Sequence, residues 1–150
     1  MSFLSADNLN EIKHLFEQLT GDVRLIYFTQ KESPLIIPGQ ECETCKDTRF
    51  LLEEVAALSD KIQLEVHDFL ADSEIAREYG IDQIPAIVMT ADGVKGRVRY
   101  FGMPSGYEFS VLLGSLLDVS QGKSDLSEQT VEVLQGLEKE LHIQVFVTPT

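Results

Sequence analysis

Two cysteines with two residues between them, Cys42 and Cys45, are the side chains of this sequence best suited to chemistry. The apolar stripe that follows predicts a helix from about Thr44 to Leu58, so Cys42 precedes its first turn. Unpaired backbone N–H groups and the helix dipole stabilise a thiolate at that position. Cys45 then lies one turn later, close enough to form a disulfide. The spacing predicts thiol–disulfide exchange, with Cys42 as nucleophile and Cys45 as resolving thiol.

Three charged neighbours are expected to tune the pKa of the Cys42 thiol. Lys46 favours the thiolate, whereas Glu41 and Glu43 disfavour it by like-charge repulsion. Two carboxylates against one ammonium group predict a raised pKa. We therefore expect a reducing centre rather than a strongly oxidising one.

A single Cys-x-x-Cys pair has other interpretations. It also forms half of a zinc or iron–sulfur site, but the three histidines, His14, His67 and His142, are scattered along the chain. No metal site is predicted within one chain, and a metal that bridges two chains is one alternative. Two cysteines that merely fill a core are another. A third is a redox-inactive module that docks a reductase or another partner.

An Ile84–Pro85 bond opens a run of β-forming residues. Proline removes a donor from a strand ladder, so it is either an ordinary strand-edge residue or one placed for another purpose. Together with the cysteine pair it predicts a cis proline that presents the Ile84 backbone to an extended peptide. Ile84 and Pro85 are therefore the predicted substrate-binding residues. His67 and Asp68, at the end of an earlier strand, are not assigned to the site.

The chain is acidic, with a net charge of −13 over 150 residues. Nucleic acid and anionic membrane surfaces would repel it, so neither is an expected partner. No apolar run approaches the roughly 20 residues that span a bilayer, and the first residues lack the features of a signal peptide. These features favour the cytoplasm. No cofactor is predicted apart from a redox-active disulfide between Cys42 and Cys45.

Apolar periodicity predicts alternating helices and strands around the cysteines. The predicted elements are a helix over 5–19, a strand over 23–28, a helix over 44–58, a strand over 62–68, a helix over 72–79, strands over 84–89 and 98–101, and a helix from a Ser105–Glu108 capping box to about 120. The last two strands are expected to pair antiparallel. A long connection before the cysteines carries an apolar triplet, residues 35–37, that we expect to pack on the core or at an interface. The prediction is an α/β fold with a central mixed sheet flanked by helices, whose redox unit is residues 1–120.

Residues 121–150 repeat the opening of the chain on a smaller scale. A linker precedes a helix capped by Ser127, and Ile143 to Val147 predicts a strand. Because an unpaired strand does not stay bare, we expect this helix–strand appendage to pack on the sheet edge or to pair with a second copy in a homodimer.

With the run Cys42-Glu43-Thr44-Cys45-Lys46, the strand before it and Ile84-Pro85 in place, the chain resembles the thioredoxin and glutaredoxin superfamily. It is more closely similar to the tandem protein disulfide oxidoreductases of thermophilic microbes, also called glutaredoxin-like proteins. Further segments that carry the resemblance are Tyr79-Gly80-Ile81-Asp82, Val98-Arg99-Tyr100-Phe101-Gly102, Glu108-Phe109, Asp118-Val119-Ser120 and Val145-Phe146-Val147-Thr148-Pro149-Thr150. In that family the last of these is followed directly by the Cys-Pro-Tyr-Cys of a second unit.

The resemblance implies a thioredoxin-like fold and a thiol–disulfide oxidoreductase, of the reductase or isomerase type, acting on protein disulfides. It also implies that the chain holds the N-terminal unit, truncated before the second Cys-x-x-Cys. The expected partners are protein disulfide substrates and an electron donor of the thioredoxin-reductase type. Two features depart from the family: the connection before the cysteines is longer, and Cys-Glu-Thr-Cys replaces more familiar central residues.

Overall fold

The computed structural model describes residues 3–31 and 41–148. The elements are α1 (Ala6–Phe16), β1 (Val23–Thr29), α2 (Cys45–Ala56), β2 (Ile62–Asp68), α3 (Ser73–Tyr79), β3 (Ala86–Thr90), β4 (Val98–Phe101), α4 (Tyr107–Gln121) and α5 (Glu128–Gln135). The strands form one sheet in the order β2-β1-β3-β4, with β1 parallel to β2 and the other pairs antiparallel. The predicted α/β fold with a mixed sheet is confirmed. The apolar triplet at 35–37 lies outside the described residues.

β1 is an interior strand of the sheet, and six of its seven residues are buried. Leu25 and Tyr27 belong to the larger core cluster, which includes side chains of α1, α2 and α4. Ile26 and Phe28 belong to a smaller cluster that includes Ala76 of α3. Because successive side chains of a strand point to opposite faces, β1 is anchored on both faces of the sheet. It is therefore a firm base for the chain that leads to the cysteines.

Two helices begin at the serine caps that the sequence predicts. The Ser5 hydroxyl accepts a hydrogen bond from the Asn8 backbone N–H at 3.2 Å. The Ser127 hydroxyl accepts one from the Thr130 backbone N–H, also at 3.2 Å. Both caps satisfy backbone donors that a first helical turn leaves unpaired.

The capping box predicted for Ser105 and Glu108 is wrong. α4 begins at Tyr107, and Gly106 at its N-cap makes no side-chain capping bond. Glu108 instead accepts a hydrogen bond from the hydroxyl of Tyr100 on β4. Burial and this contact with Glu108 raise the pKa of the Tyr100 phenol. A tertiary partner has displaced the local one.

The C-terminal segment matches the prediction for its helix but not for its strand. α5 forms, although none of its residues is buried. Residues 143–147 were predicted as a strand and form none in the structure. A strand needs backbone hydrogen bonds from a neighbour, and the sheet of the described residues contains no strand paired with this segment. Pairing with a second copy stays a prediction.

Ser120 fastens the end of α4 to the turn before β1. Its hydroxyl accepts hydrogen bonds from the backbone N–H groups of Thr20 and Gly21, at 2.9 and 3.0 Å, and donates to the Gly21 carbonyl at 2.7 Å. The Thr20 hydroxyl donates to the Ser120 carbonyl at 3.0 Å. These bonds join parts of the chain about 100 residues apart, close to the predicted end of the redox unit.

Candidate active site

Cys42 and Cys45 form a disulfide at the N-terminus of α2. Their sulfur atoms are 1.98 Å apart and their Cα atoms 5.4 Å apart. Cys45 is the first residue of the helix and only 3% exposed. Cys42 lies before the Thr44 N-cap and is partly exposed. The predicted nucleophile is therefore the more accessible of the two residues, and the predicted resolving residue is covered.

The first turn of α2 starts without a side-chain cap. The Thr44 side chain makes no capping hydrogen bond. The Thr44 carbonyl accepts two hydrogen bonds from Thr48, one from its backbone N–H at 2.9 Å and one from its hydroxyl at 2.7 Å. Uncapped N–H groups at a helix N-terminus favour a negative charge nearby. This is the local setting that a cysteine thiolate requires.

Two residues that the sequence analysis did not assign hold the main chain of the cysteines. The Gln30 side-chain oxygen accepts a hydrogen bond from the Cys42 backbone N–H at 2.8 Å. The Tyr27 hydroxyl donates to the Cys45 carbonyl at 2.7 Å. These contacts span 12 and 18 residues, so no local spacing predicts them. The available sign was a phenol within an otherwise apolar stretch of strand.

The Tyr27 hydroxyl is enclosed by the protein. The residue has no exposed surface. Burial raises the pKa of the Tyr27 phenol, and hydrogen bonds with the Thr29 and Thr48 side chains oppose that shift. The phenol is therefore a protonated hydrogen-bond donor at neutral pH.

The Ile84–Pro85 peptide bond is cis, as predicted. It directly precedes β3, in which Ala86 is the register partner of Phe28 on β1. The bond therefore lies at the end of the sheet from which the chain leads to the cysteines. Pro85 is buried, Ile84 is half-buried, and the Pro85 carbonyl accepts a hydrogen bond from Gly102 N–H at 2.8 Å. Contact with a substrate stays a prediction.

Glu41, Glu43 and Lys46, the predicted tuning residues, are all exposed. The two carboxylates belong to the residues on either side of Cys42. The Lys46 ammonium lies 6.0 Å from the centroid of the Phe50 ring. Water screens charges at such positions, so any electrostatic effect on the thiol is modest. The tuning role also stays a prediction.

Asp68 steadies the chain as it leaves β1, although the sequence analysis left it out of the site. Its carboxylate accepts hydrogen bonds from the backbone N–H groups of Lys31, Leu70 and Ala71, at 2.8, 3.0 and 2.7 Å. These bonds, the one from Ala71 first, hold the pKa of Asp68 below its ordinary value. Lys31 follows Gln30 directly, so Asp68 supports the residue that is bonded to the first cysteine.

Within residues 3–31 and 41–148, no group of three or more His, Cys, Asp or Glu side chains is arranged to hold a metal ion. In the same part of the chain, no helix has the length and apolar character needed to cross a membrane. The reactive group that the structure does contain is the Cys42–Cys45 disulfide.

The fold and the disulfide define the class of protein. A mixed sheet flanked by helices, with a Cys-x-x-Cys disulfide at a helix N-terminus after an interior strand, is the arrangement of thioredoxin-like redox proteins. Residues 35–114 match the family described as the thioredoxin domain. The chain belongs to the thioredoxin domain family.

Curated relatives connect the chain with one component of a peroxide-reducing system, the AhpF component of alkyl hydroperoxide reductase. The chain is 31% identical over 96 residues, 64% of its length, to AhpF of Xanthomonas campestris pv. phaseoli. It is 22% identical over 147 residues, 98% of its length, to AhpF of Staphylococcus aureus. The chain spans only 16% and 25% of these two relatives, respectively.

Solved structures share the fold. A protein disulfide oxidoreductase from Aeropyrum pernix superposes with a TM-score of 0.75 at 24% identity, over 91% of this chain and 56% of that chain. The alkylhydroperoxide reductase AhpF of Enterococcus faecalis gives a TM-score of 0.75 at 22% identity, over 92% of this chain and 62% of that one. With the family match, these likenesses confirm the thioredoxin-like fold and the predicted resemblance.

Proposed function

We propose that this chain is a thiol–disulfide oxidoreductase of the reductase or isomerase type, which acts on protein substrates through Cys42 and Cys45. The observation that supports this best is the disulfide between a partly exposed residue before α2 and a buried one in its first turn. Two-step exchange needs this asymmetry, because the first thiol must meet the substrate while the second stays covered until it resolves the intermediate. The redox-active group is the disulfide itself, without a further cofactor.

In the reducing direction, the Cys42 thiolate attacks one sulfur of a substrate disulfide. A mixed disulfide forms, and one substrate thiolate leaves and takes a proton from water. Cys45 then loses its proton to water and attacks the Cys42 sulfur, which releases the second substrate thiolate and forms the Cys42–Cys45 disulfide. The substrate gains two electrons and the protein loses two. A dithiol donor restores the reduced pair, and the reverse sequence oxidises a substrate.

The backbone beside Ile84 is the proposed docking edge for an extended substrate segment. Its support is the cis bond to Pro85 and its position at the cysteine end of the sheet. Main-chain pairing with a substrate strand would align the substrate disulfide without requiring a particular side chain. Such a site suits varied protein substrates.

The charges flanking the cysteines are proposed to make the centre reducing. Glu41 and Glu43 oppose a thiolate on Cys42, and Lys46 offsets only one of them. A redox titration against glutathione measures the result. A potential near about −120 mV, the value of a strongly oxidising family member, would contradict the charge argument.

The curated relatives favour a more specific role as a second proposal. They carry the name of one component of alkyl hydroperoxide reductase, and one match extends over 98% of this chain. In this role the chain would accept electrons from a donor of the thioredoxin-reductase type and pass them to another protein. We assign this activity to the cytoplasm, where thiols are kept reduced.

The domain assignment is also part of the proposal. Residues 1–120 are the redox unit, and the Ser120 bonds that close the fold support that boundary. Residues 121–150 are the start of a second unit, and a homodimer would cover their exposed apolar side chains. Light scattering measures this directly, and a monomer at working concentration would argue against the dimer.

Alkylation trapping of the purified protein tests the central proposal. Dithiothreitol should open the disulfide, glutathione disulfide should close it, and the reduced protein should reduce insulin. Cys42→Ser should abolish insulin reduction. Cys45→Ser is the matched variant, since it keeps the nucleophile and should accumulate a mixed disulfide instead.

Other outcomes would favour the rival interpretations. A cysteine pair that never cycles between dithiol and disulfide removes the enzyme proposal. Partner binding that survives in Cys42→Ser, without exchange in the wild type, indicates an interaction module. Zinc or iron in stoichiometric amount in the purified protein indicates a metal-bridged dimer.

A further inference from the structure

Opening the disulfide removes the covalent link between Cys42 and Cys45. The hydrogen bond that joins these residues directly runs from the Cys45 N–H to the Cys42 carbonyl and is long, at 3.4 Å. Cys42 also lies outside any helix or strand. Fast resolution of a mixed disulfide requires the two sulfurs to stay close and oriented after the bond opens. Other contacts must therefore hold the pair.

β1 supplies one such contact to each cysteine. Tyr27, inside the strand, donates to the Cys45 carbonyl at 2.7 Å, and Gln30, just after the strand, accepts from the Cys42 N–H at 2.8 Å. β1 lies between β2 and β3, so both side chains project from a rigid base. Tyr27 is fully buried, so water does not compete for its hydrogen bond.

We propose that Tyr27 and Gln30 are positioning residues that keep Cys42 and Cys45 in register through the open states of the exchange cycle. This inference rests on the proposed function. Both residues act through the main chain of the cysteines, so they should affect the intramolecular step more than the first attack. In that step the Cys45 thiolate displaces the leaving thiolate from the Cys42 sulfur.

The two steps are separated by mixing the reduced protein with dithiobis-nitrobenzoate, a coloured small disulfide. Attack by Cys42 releases one nitrothiobenzoate in a phase whose rate depends on reagent concentration. Resolution by Cys45 releases the second in a phase whose rate does not. Tyr27→Phe removes a single oxygen atom and should slow the second phase about fivefold, the effect of one lost hydrogen bond. The first phase should change less than about twofold, because Cys42 keeps its own contact.

Tyr100→Phe is the matched control. Tyr100 occupies the same cross-strand row, since Tyr27 pairs with Ile87 and Ile87 pairs with Tyr100. Its hydroxyl is also hydrogen-bonded, but to Glu108 rather than to the cysteines. The control therefore deletes the same atom from the same row of the sheet and should leave both phases unchanged.

Gln30→Ala provides a second variant in case Tyr27→Phe does not fold, and it should also slow the second phase. A second phase as fast as wild type in both variants overturns the inference and leaves the proposed function standing. Equal slowing of both phases, matched in Tyr100→Phe, also overturns it, since that result shows general loosening of the fold. A wild-type protein that releases only one nitrothiobenzoate refutes the proposed function, and the inference falls with it.

Discussion

Ser120→Ala should separate the end of α4 from the turn that precedes β1. The Ser120 side chain is 9% exposed and makes three hydrogen bonds to the main chain of Thr20 and Gly21. The substitution removes all three and leaves their backbone partners without the hydroxyl. The bond from the Thr20 hydroxyl to the Ser120 carbonyl is retained, because alanine keeps that carbonyl.

The expected cost follows from these contacts. Three lost hydrogen bonds at about 1 kcal/mol each give about 3 kcal/mol. The turn is only part-buried, so water replaces some of this loss, and alanine gains about 0.5 kcal/mol over serine within a helix. The free energy of unfolding should therefore fall by about 2 kcal/mol.

Urea unfolding at neutral pH, followed by circular dichroism, measures this change. With a denaturant slope of about 2 kcal/mol per molar, the midpoint should fall by about 1 M. Ser110→Ala is the matched control, because Ser110 is exposed on the same helix. Equal midpoints for the two variants would refute the reasoning. Exchange at the cysteines should be unchanged in both, because Ser120 contacts the turn before β1 and the cysteines follow its other end.

Two further perturbations test the supports of the site. Gly80→Ala should lower the free energy of unfolding by about 2 kcal/mol, since φ is +68° and a Cβ would lie 2.5 Å from Arg99 Nη1. Gly93→Ala, with φ +81° and no atom within 4 Å of the added Cβ, should cost only the backbone strain of about 1 kcal/mol, and equal losses by thermal unfolding would rule out the clash. Asp68→Asn should cost about 1 kcal/mol at neutral pH, because the amide cannot accept from Lys31 while it keeps its other two bonds. The native pKa of Asp68 is lowered, so its stabilisation is present above the unfolded pKa of about 3.9 and is lost as pH falls through the native value. A urea series over pH should thus show the difference from wild type shrinking in acid, and a constant difference would contradict the assignment.

Local patterning was enough to predict most of the fold. The apolar run of β1 and the alternation in β2 encode strands, and the serine caps of α1 and α5 mark their first turns. These signals depend on residues a few positions apart, so the chain specifies them before it folds. The Cys-x-x-Cys spacing belongs to the same kind, because a helical turn brings those two residues together.

Signals failed where a distant partner decided the outcome. Glu108 had a local role available in a capping box and took Tyr100 instead. Residues 143–147 have strand composition, yet strand structure depends on a neighbour that the sequence of the segment does not provide.

The sequence by itself therefore determined the reactive pair, its place before a helix and the elements that surround it. Tertiary structure alone decided what holds the pair: Tyr27 bonded to the Cys45 carbonyl, and Gln30 bonded to the Cys42 N–H. The physical reason is that these hydrogen bonds link positions 18 and 12 residues apart, and only the packing of α2 on the sheet brings their atoms within reach.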